Sequence, residues 1–245
     1  MTAMENDQAR FFDECTAAVY DHLPNGDPSA AVAFLAALAE GGAALELAIG
    51  TGRIALPLVA EGVRVDGIDI STAMVDQLRG KPGGAELDVT IGDFADVAVD
   101  GTYALVYLVF NTLFNLGTQQ DQVRCFENVA SHLADDGAFV VEATTPNSLF
   151  RLRNNQYVDA ELVDAEGLVL DVLRHDPVTQ TIEESHVSIS ESGIRLFPVK
   201  QRYAWPSELD LMAQLAGLRL RERWGGWRRE PFTAASDTHI SVYGR

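Results

Sequence analysis

The chain is short of positive charge. Its 245 residues carry 18 Lys and Arg against 36 Asp and Glu, a formal net charge of -18, and no long basic cluster interrupts the excess. A polyanion is repelled from such a surface at long range, which argues against nucleic acid and anionic membranes as partners and leaves a neutral or cationic small molecule. Cysteine is nearly absent. Cys15 and Cys125 lie far apart and match no metal spacing, so no metal site is expected, and Cys125, on the apolar side of a predicted helix, reads as a small buried hydrophobe. No apolar run approaches the length of a membrane span and the opening residues carry no signal-peptide pattern, so a cytoplasmic, reduced setting is the expectation. Internal repeats and low-complexity tracts are also lacking.

What is present centres on Ala44 to Ser71. A short apolar run, Ala44–Ala48, ends in Gly50-Thr51-Gly52, where two residues without Cβ allow a sharp turn and close approach to a ligand. A helical run over Arg53–Glu61 closes at Gly62, the usual place for a left-handed C-terminal glycine. Val63–Ile70 then reads as a second buried strand with Asp66 and Asp69 near its end. A carboxylate roughly 20 residues beyond such glycines is placed to accept hydrogen bonds from two ribose hydroxyls.

Gly50-Thr51-Gly52-Arg53-Ile54-Ala55 also satisfies the dinucleotide fingerprint, a weak match by itself. Glu46 decides the reading. A pyrophosphate gains nothing from a carboxylate upstream of the loop, whereas a cofactor with a cationic amino-acid end does. Glu46-Leu47-Ala48-Ile49-Gly50-Thr51-Gly52 resembles the first motif of the class I S-adenosylmethionine-dependent methyltransferases, with Ala48 in the first glycine position. Since alanine still permits close packing, that departure is expected to be small. The resemblance implies a doubly wound, mostly parallel sheet of seven strands. It places Glu46 toward the methionyl ammonium, the Gly50–Gly52 backbone with Arg53 at the amino-acid and ribose part, and Asp69, with Ile70 and Met74 beside it, on the ribose side.

Other stretches extend the resemblance. Two helices are expected ahead of the first strand, over Asp7 to Leu23 and Ser29 to Glu40, similar to the N-terminal cap of small-molecule methyltransferases; there Tyr20 is the best match to an aromatic residue that closes over the cofactor, with plain helix packing as the alternative. Leu87–Ile91 reads as the third strand. Gly92-Asp93-Phe94 follows it, implying Asp93 as acceptor for the adenine amino group and Phe94 on the ring, unless Asp93 simply caps a turn. Tyr103–Phe110 is fully apolar, as in a central parallel strand buried on both faces, and delivers Phe110 and Asn111 to the cofactor and Phe114 and Asn115 to the substrate. The Asp/Asn-Pro-Pro-aromatic sequence of enzymes that methylate base amines is absent here, a second argument against nucleic acid. Ala138–Glu142 reads as the fifth strand.

From Tyr157 the texture changes. Glu161–Asp164, Gly167–Arg174, Val178–Ser190 and Gly193–Tyr203 read as consecutive strands, which cannot continue an alternating pattern and imply a separate antiparallel layer. The division expected is a helical cap over 1–42, an α/β core over 43–155, a β insertion over 156–204, and completion of the core over 205–245. The insertion resembles the lid of sugar-amine and glycine N-methyltransferases, which roofs the substrate and supports a homodimer. Pro206–Ala216 reads as the last helix and Leu218–Trp224 with His239–Tyr243 as a closing strand pair, the last strand reversed.

Methyl transfer is an in-line displacement, so positioning supplies most of the acceleration and a base is needed only when the nucleophile arrives protonated. His186 and Tyr203 are the catalytic candidates and Trp205 a pocket wall; Glu183-Glu184 reads as a solvated face. The expected activity is methyl transfer from S-adenosylmethionine to oxygen or nitrogen of a small molecule, with a natural-product intermediate as the expected acceptor. An NAD-dependent oxidoreductase and a non-catalytic cofactor-binding protein stand as alternatives.

Overall fold

The elements follow from the apolar runs and their punctuation. In the computed structural model, residue 17, residues 20–22 and residues 26–245 are described. Most of the helix expected over Asp7 to Leu23, Cys15 included, lies outside them. The main elements are α1 (Ser29–Ala39), β1 (Ala44–Leu47), α2 (Ala55–Ala60), β2 (Val65–Asp69), α3 (Thr72–Arg79), β3 (Asp88–Ile91), β4 (Tyr103–Leu108), α4 (Gln119–His132), β5 (Leu133–Thr144), β6 (Gln156–Val163), β7 (Gly167–Asp176), β8 (Thr181–Ser190), β9 (Gly193–Arg202), α5 (Pro206–Leu215), β10 (Arg219–Trp224) and β11 (Thr238–Gly244).

Side-chain caps start two of the helices. Ser71 accepts from the Met74 amide at 3.2 Å and Thr118 from the Asp121 amide at 3.1 Å, each contributing about 1 kcal/mol. α5 starts instead at Pro206, whose fixed φ suits a first turn.

Seven strands form one sheet in the order β10-β11-β5-β4-β1-β2-β3. β1 to β5 pair in parallel, and β11 runs antiparallel to both β5 and β10. The central strands β1 and β4 are sealed on both faces, with Leu45, Val106, Tyr107 and Leu108 fully buried; this is why they read as continuous apolar runs. One apolar layer packs α1, α2 and α3 on one side, and the other packs α4 and α5 with Phe126, Phe139 and Tyr243 in edge-on and tilted contact. Cys125 is fully buried there, and burial pushes its thiol up out of the reactive range.

The second sheet is antiparallel, in the order β6-β7-β8-β9. Its first strand begins at Gln156, five residues before the expected start, because the alternation over 156–161 is masked by polar residues on both faces. The root of this sheet is fastened to the core by buried Arg202, which donates to Gln122 Oε1 and pairs with Glu208, each at 2.7 Å. Gln122 in turn donates to the carbonyls of Arg202 and Leu116.

Candidate active site

The carboxyl ends of β1, β2, β4 and β5 meet on one side of the sheet, where open α/β folds bind ligands. The turn after β1 wraps around Asp69 at the end of β2. Asp69 Oδ2 accepts from the Gly50 amide at 2.7 Å and Oδ1 from the Ser71 amide at 2.8 Å. Burial pushes its carboxyl up, and these amides oppose the shift. Each oxygen keeps a further lone pair for an outside donor. The Gly52 amide donates to the Ile49 carbonyl at 3.0 Å. Both glycine amides are therefore committed inside the protein rather than turned to a pyrophosphate.

The two glycines do different work. At Gly50, φ is +56° and a Cβ would meet little but Met74 Cε at 3.4 Å. At Gly52, φ is +77° and a Cβ would stand 2.3 Å from Leu78 Cδ1, so this glycine serves helix packing. Ala48 also takes a left-handed conformation, φ +56°. Alanine in the first glycine position thus carries backbone strain in addition to its packing.

Glu46 is buried beside this loop. Its Oε2 accepts from the Tyr107 hydroxyl at 3.0 Å. Burial raises its carboxyl to about 8, opposed by the Tyr107 hydrogen bond and the Arg53 charge. Arg53 stacks on Phe110, with the guanidinium carbon 3.6 Å from the ring centroid. Phe110 and Asn111 are consecutive residues with φ of +56° and +57°, a strain that persists only where surroundings enforce it. Those surroundings are visible: Phe110 N–H donates to Glu142 Oε2 at 2.9 Å, Trp227 Nε1 donates to Glu142 Oε1 at 2.9 Å, and Asn111 Oδ1 accepts from the Thr144 amide at 2.6 Å.

The turn Tyr20–His22 closes over the loop. Asp21 accepts from Thr51 Oγ1 at 2.6 Å and pairs with Lys81 at 2.6 Å, and Lys81 also donates to the Thr51 carbonyl at 2.7 Å. Tyr20, its hydroxyl raised by burial, feels the charges of Arg53, Glu46 and Asp69.

Of the other expected residues, some flank this loop and some stand apart from it. Gly92 donates to the Asp69 carbonyl at 2.9 Å. Asp93 caps its own turn through the Ala95 amide at 2.8 Å and faces Arg124 at 3.6 Å, and Phe94 is only 7% exposed, packed in the core. Phe114 is buried as well, while Asn115 accepts from Gln201 in the insertion at 3.1 Å. Ile70 is half-buried and Met74 buried below Gly50. The structure does not bring His186 and Tyr203 together. Tyr203 is buried with its hydroxyl 2.9 Å from His175 Nε2, whereas His186 pairs with Glu161 at 3.1 Å. Trp205 packs against Phe150 near Tyr203. Tyr107, Glu142 and Trp227 were not among the expected site residues; Glu142 carried a signal, a carboxylate directly after the apolar run Ala138–Val141, and Trp227 lies in a stretch that reads either as a loop over the pocket or as a packing corner.

A methyltransferase domain family model matches residues 44–137, the stretch that holds this loop. The chain is 39% identical to the CcbJ methyltransferase of Streptomyces caelestis, covering 94% of this chain and 95% of that one with a TM-score of 0.87. This chain belongs to the class I S-adenosylmethionine-dependent methyltransferases. The methyltransferase is also 27% identical over 206 residues to the cypemycin N-terminal methyltransferase of a Streptomyces species, covering 84% of each. It shares its fold, at 20% identity and a TM-score of 0.71, with the amino pentose methyltransferase CalS10 of Micromonospora echinaspora, covering 93% of this chain and 97% of that one. The reversed β11 and the occupied glycine amides agree with a methyltransferase and not with an NAD-binding domain.

The donor set fits S-adenosylmethionine, the cofactor of the family. A buried carboxyl that is raised by burial gains from a neighbouring ammonium, and Asp69 offers a fixed bidentate acceptor for two hydroxyls.

Proposed function

We propose that this methyltransferase transfers the methyl group to oxygen or nitrogen of a small molecule of natural-product type, held beneath the β insertion. The observation that carries the reading is the convergence of Glu46, Asp69 and the Gly50 turn at the carboxyl ends of β1 and β2. In this reading Glu46 and Arg53 hold the amino-acid end of the cofactor, the Gly50 turn its backbone approach, and Asp69 with Ile70 and Met74 the ribose. Asp93 and Gly92 lie along the adenine, with Phe94 behind them. Tyr20 covers the site from above, and Phe110 and Asn111 form its wall toward the acceptor.

S-adenosylmethionine supplies an electrophilic methyl on a sulfonium. The chain's own part is to hold the acceptor in line with that methyl and to exclude water, the positional effect that carries most of such an acceleration. Asn115, Trp205 and the root of the insertion stand on the acceptor side. The similarity to a cypemycin N-terminal methyltransferase and to an amino pentose methyltransferase favours nitrogen over oxygen. The division into cap, core and insertion at residues 42, 155 and 204 belongs to the same proposal. So does a homodimer through the insertion, supported by Val158, Val163, Ile194 and Leu196, all exposed on its sheet. The acidic charge supports a protein without nucleic-acid partners, a cytoplasmic setting belongs to the same proposal, and no described helix is long and apolar enough to cross a membrane. Incubation with methyl-labelled cofactor and a panel of amine and hydroxyl acceptors tests the reading: label in a small acceptor supports it, and label only in nucleic acid overturns it.

A further inference from the structure

The insertion holds a carboxyl pair that the cofactor site does not use. In the ladder, Tyr157 stands opposite Leu173, Leu173 opposite Glu184, and Asp171 opposite His186. Paired residues project from one face, so Tyr157, Asp171 and Glu184 share the face of Leu173, His175 and Ile182. That face is turned to the core: Leu173 and Ile182 are buried in it with Leu149 and Tyr203. Gln201, opposite Ile182 on β9, bonds to Asn115, which ends the turn after Phe110 and Asn111. Glu184 lies one side-chain row further out, about 7 Å along the strand.

Tyr157 and Glu184 converge on Asp171 from the two neighbouring strands. The Tyr157 hydroxyl donates to Asp171 Oδ2. Asp171 is 8% exposed, and its Oδ1, buried, receives no donor. Burial and then the adjoining Asp171 carboxyl push Glu184 up. Glu184 is therefore not the solvated residue its sequence suggests; Glu183, on the opposite face, takes that part, meeting Arg174 and Lys200. His186 turns to Glu161. Among the described residues no ion pair reaches Asp171 or Glu184. The two carboxyls share a hydrogen bond when Glu184 is protonated, and a cation with several N–H groups can take the place of that proton and satisfy both.

We propose that Asp171 and Glu184, with Tyr157 holding Asp171, receive the protonated amine of the acceptor and take up its proton. The inference rests on the acceptor site lying beneath the insertion. In the proton step an N–H bond of the ammonium breaks, its electron pair stays on nitrogen, and the proton passes to the Glu184 carboxylate. The free amine then has the lone pair that forms the new N–C bond, and Glu184 returns the proton to solvent, one per turnover.

The test uses the protein saturated with S-adenosylhomocysteine and two probes of matched shape, benzylammonium and benzyl alcohol, titrated at pH 7 by calorimetry and ligand-observed NMR. The wild type is expected to bind the ammonium at least about tenfold more tightly than the alcohol, as charged hydrogen bonds require. Asp171→Asn and Glu184→Gln should each lose that preference while retaining S-adenosylhomocysteine binding, which also shows that they are folded. No preference in the wild type, including failure of both probes to bind at millimolar concentration, overturns the proposal. Loss of S-adenosylhomocysteine binding by the wild type would overturn instead the cofactor site on which it rests.

Discussion

Tyr107 and Glu46 are register partners on adjacent strands, joined by a 3.0 Å hydrogen bond with both side chains sealed from solvent. The hydroxyl opposes the burial that keeps Glu46 protonated. Tyr107→Phe keeps the ring and removes the donor. Affinity for S-adenosylhomocysteine, whose amino-acid end is the same as the cofactor's, should fall about tenfold, the worth of one hydrogen bond to a charged group. Calorimetry that finds the affinity unchanged would detach Tyr107 from the site.

Glu46 also makes binding depend on pH. Its carboxyl is raised to about 8 in the folded protein from 4.5, so between those values the folded chain binds more protons than the unfolded one. Stability of the ligand-free protein therefore carries a contribution that is complete below about 4.5 and is lost as pH rises toward 8. An ammonium that ionises Glu46 must expel its proton. Affinity for S-adenosylhomocysteine should rise from pH 6 to 8, with proton release seen as different heats in buffers of different ionisation enthalpy. Glu46→Gln should abolish the release; equal heats in the wild type would contradict the assignment.

Ala48 carries left-handed strain at φ +56°. Ala48→Gly relieves it and should stabilise the protein by about 1 kcal/mol in urea unfolding. Destabilisation would mean that the alanine methyl contributes packing that outweighs the strain.

Gly50 and Gly52 should separate binding from folding. Gly52→Ala drives a Cβ to 2.3 Å from Leu78 Cδ1 in a left-handed conformation and should cost about 2–3 kcal/mol of stability, partly restored by adding Leu78→Ala. Gly50→Ala meets only Met74 and should cost less stability but more affinity. The reverse order would place the ligand over Gly52.

The parallel core was legible because its signals are local. Apolar runs, Gly50-Thr51-Gly52 and Asp69 lie within one β-α-β unit, and Ser71 and Thr118 cap the helices they precede. What escaped depends on strand order. Glu142 joins Phe110 and Trp227 only because β5 lies between β4 and β11, and Tyr107 meets Glu46 only because β4 lies beside β1. The left-handed conformation of Ala48 was not legible because composition does not reveal φ. His186 and Tyr203 look alike as lid residues, yet one pairs with Glu161 on the insertion and the other is buried at its root. Glu184 differs from Glu183 only by the strand's alternation.

The most direct test is calorimetric titration of the wild type and Asp69→Asn with S-adenosylhomocysteine, and of the wild type with NAD. Saturable one-to-one binding by the wild type is predicted, weakened about tenfold to a hundredfold in Asp69→Asn by the loss of charged hydrogen bonds, with no heat from NAD. Binding of NAD, or equal affinity of both proteins for S-adenosylhomocysteine, would contradict the placement of the cofactor between the Gly50 turn and Asp69.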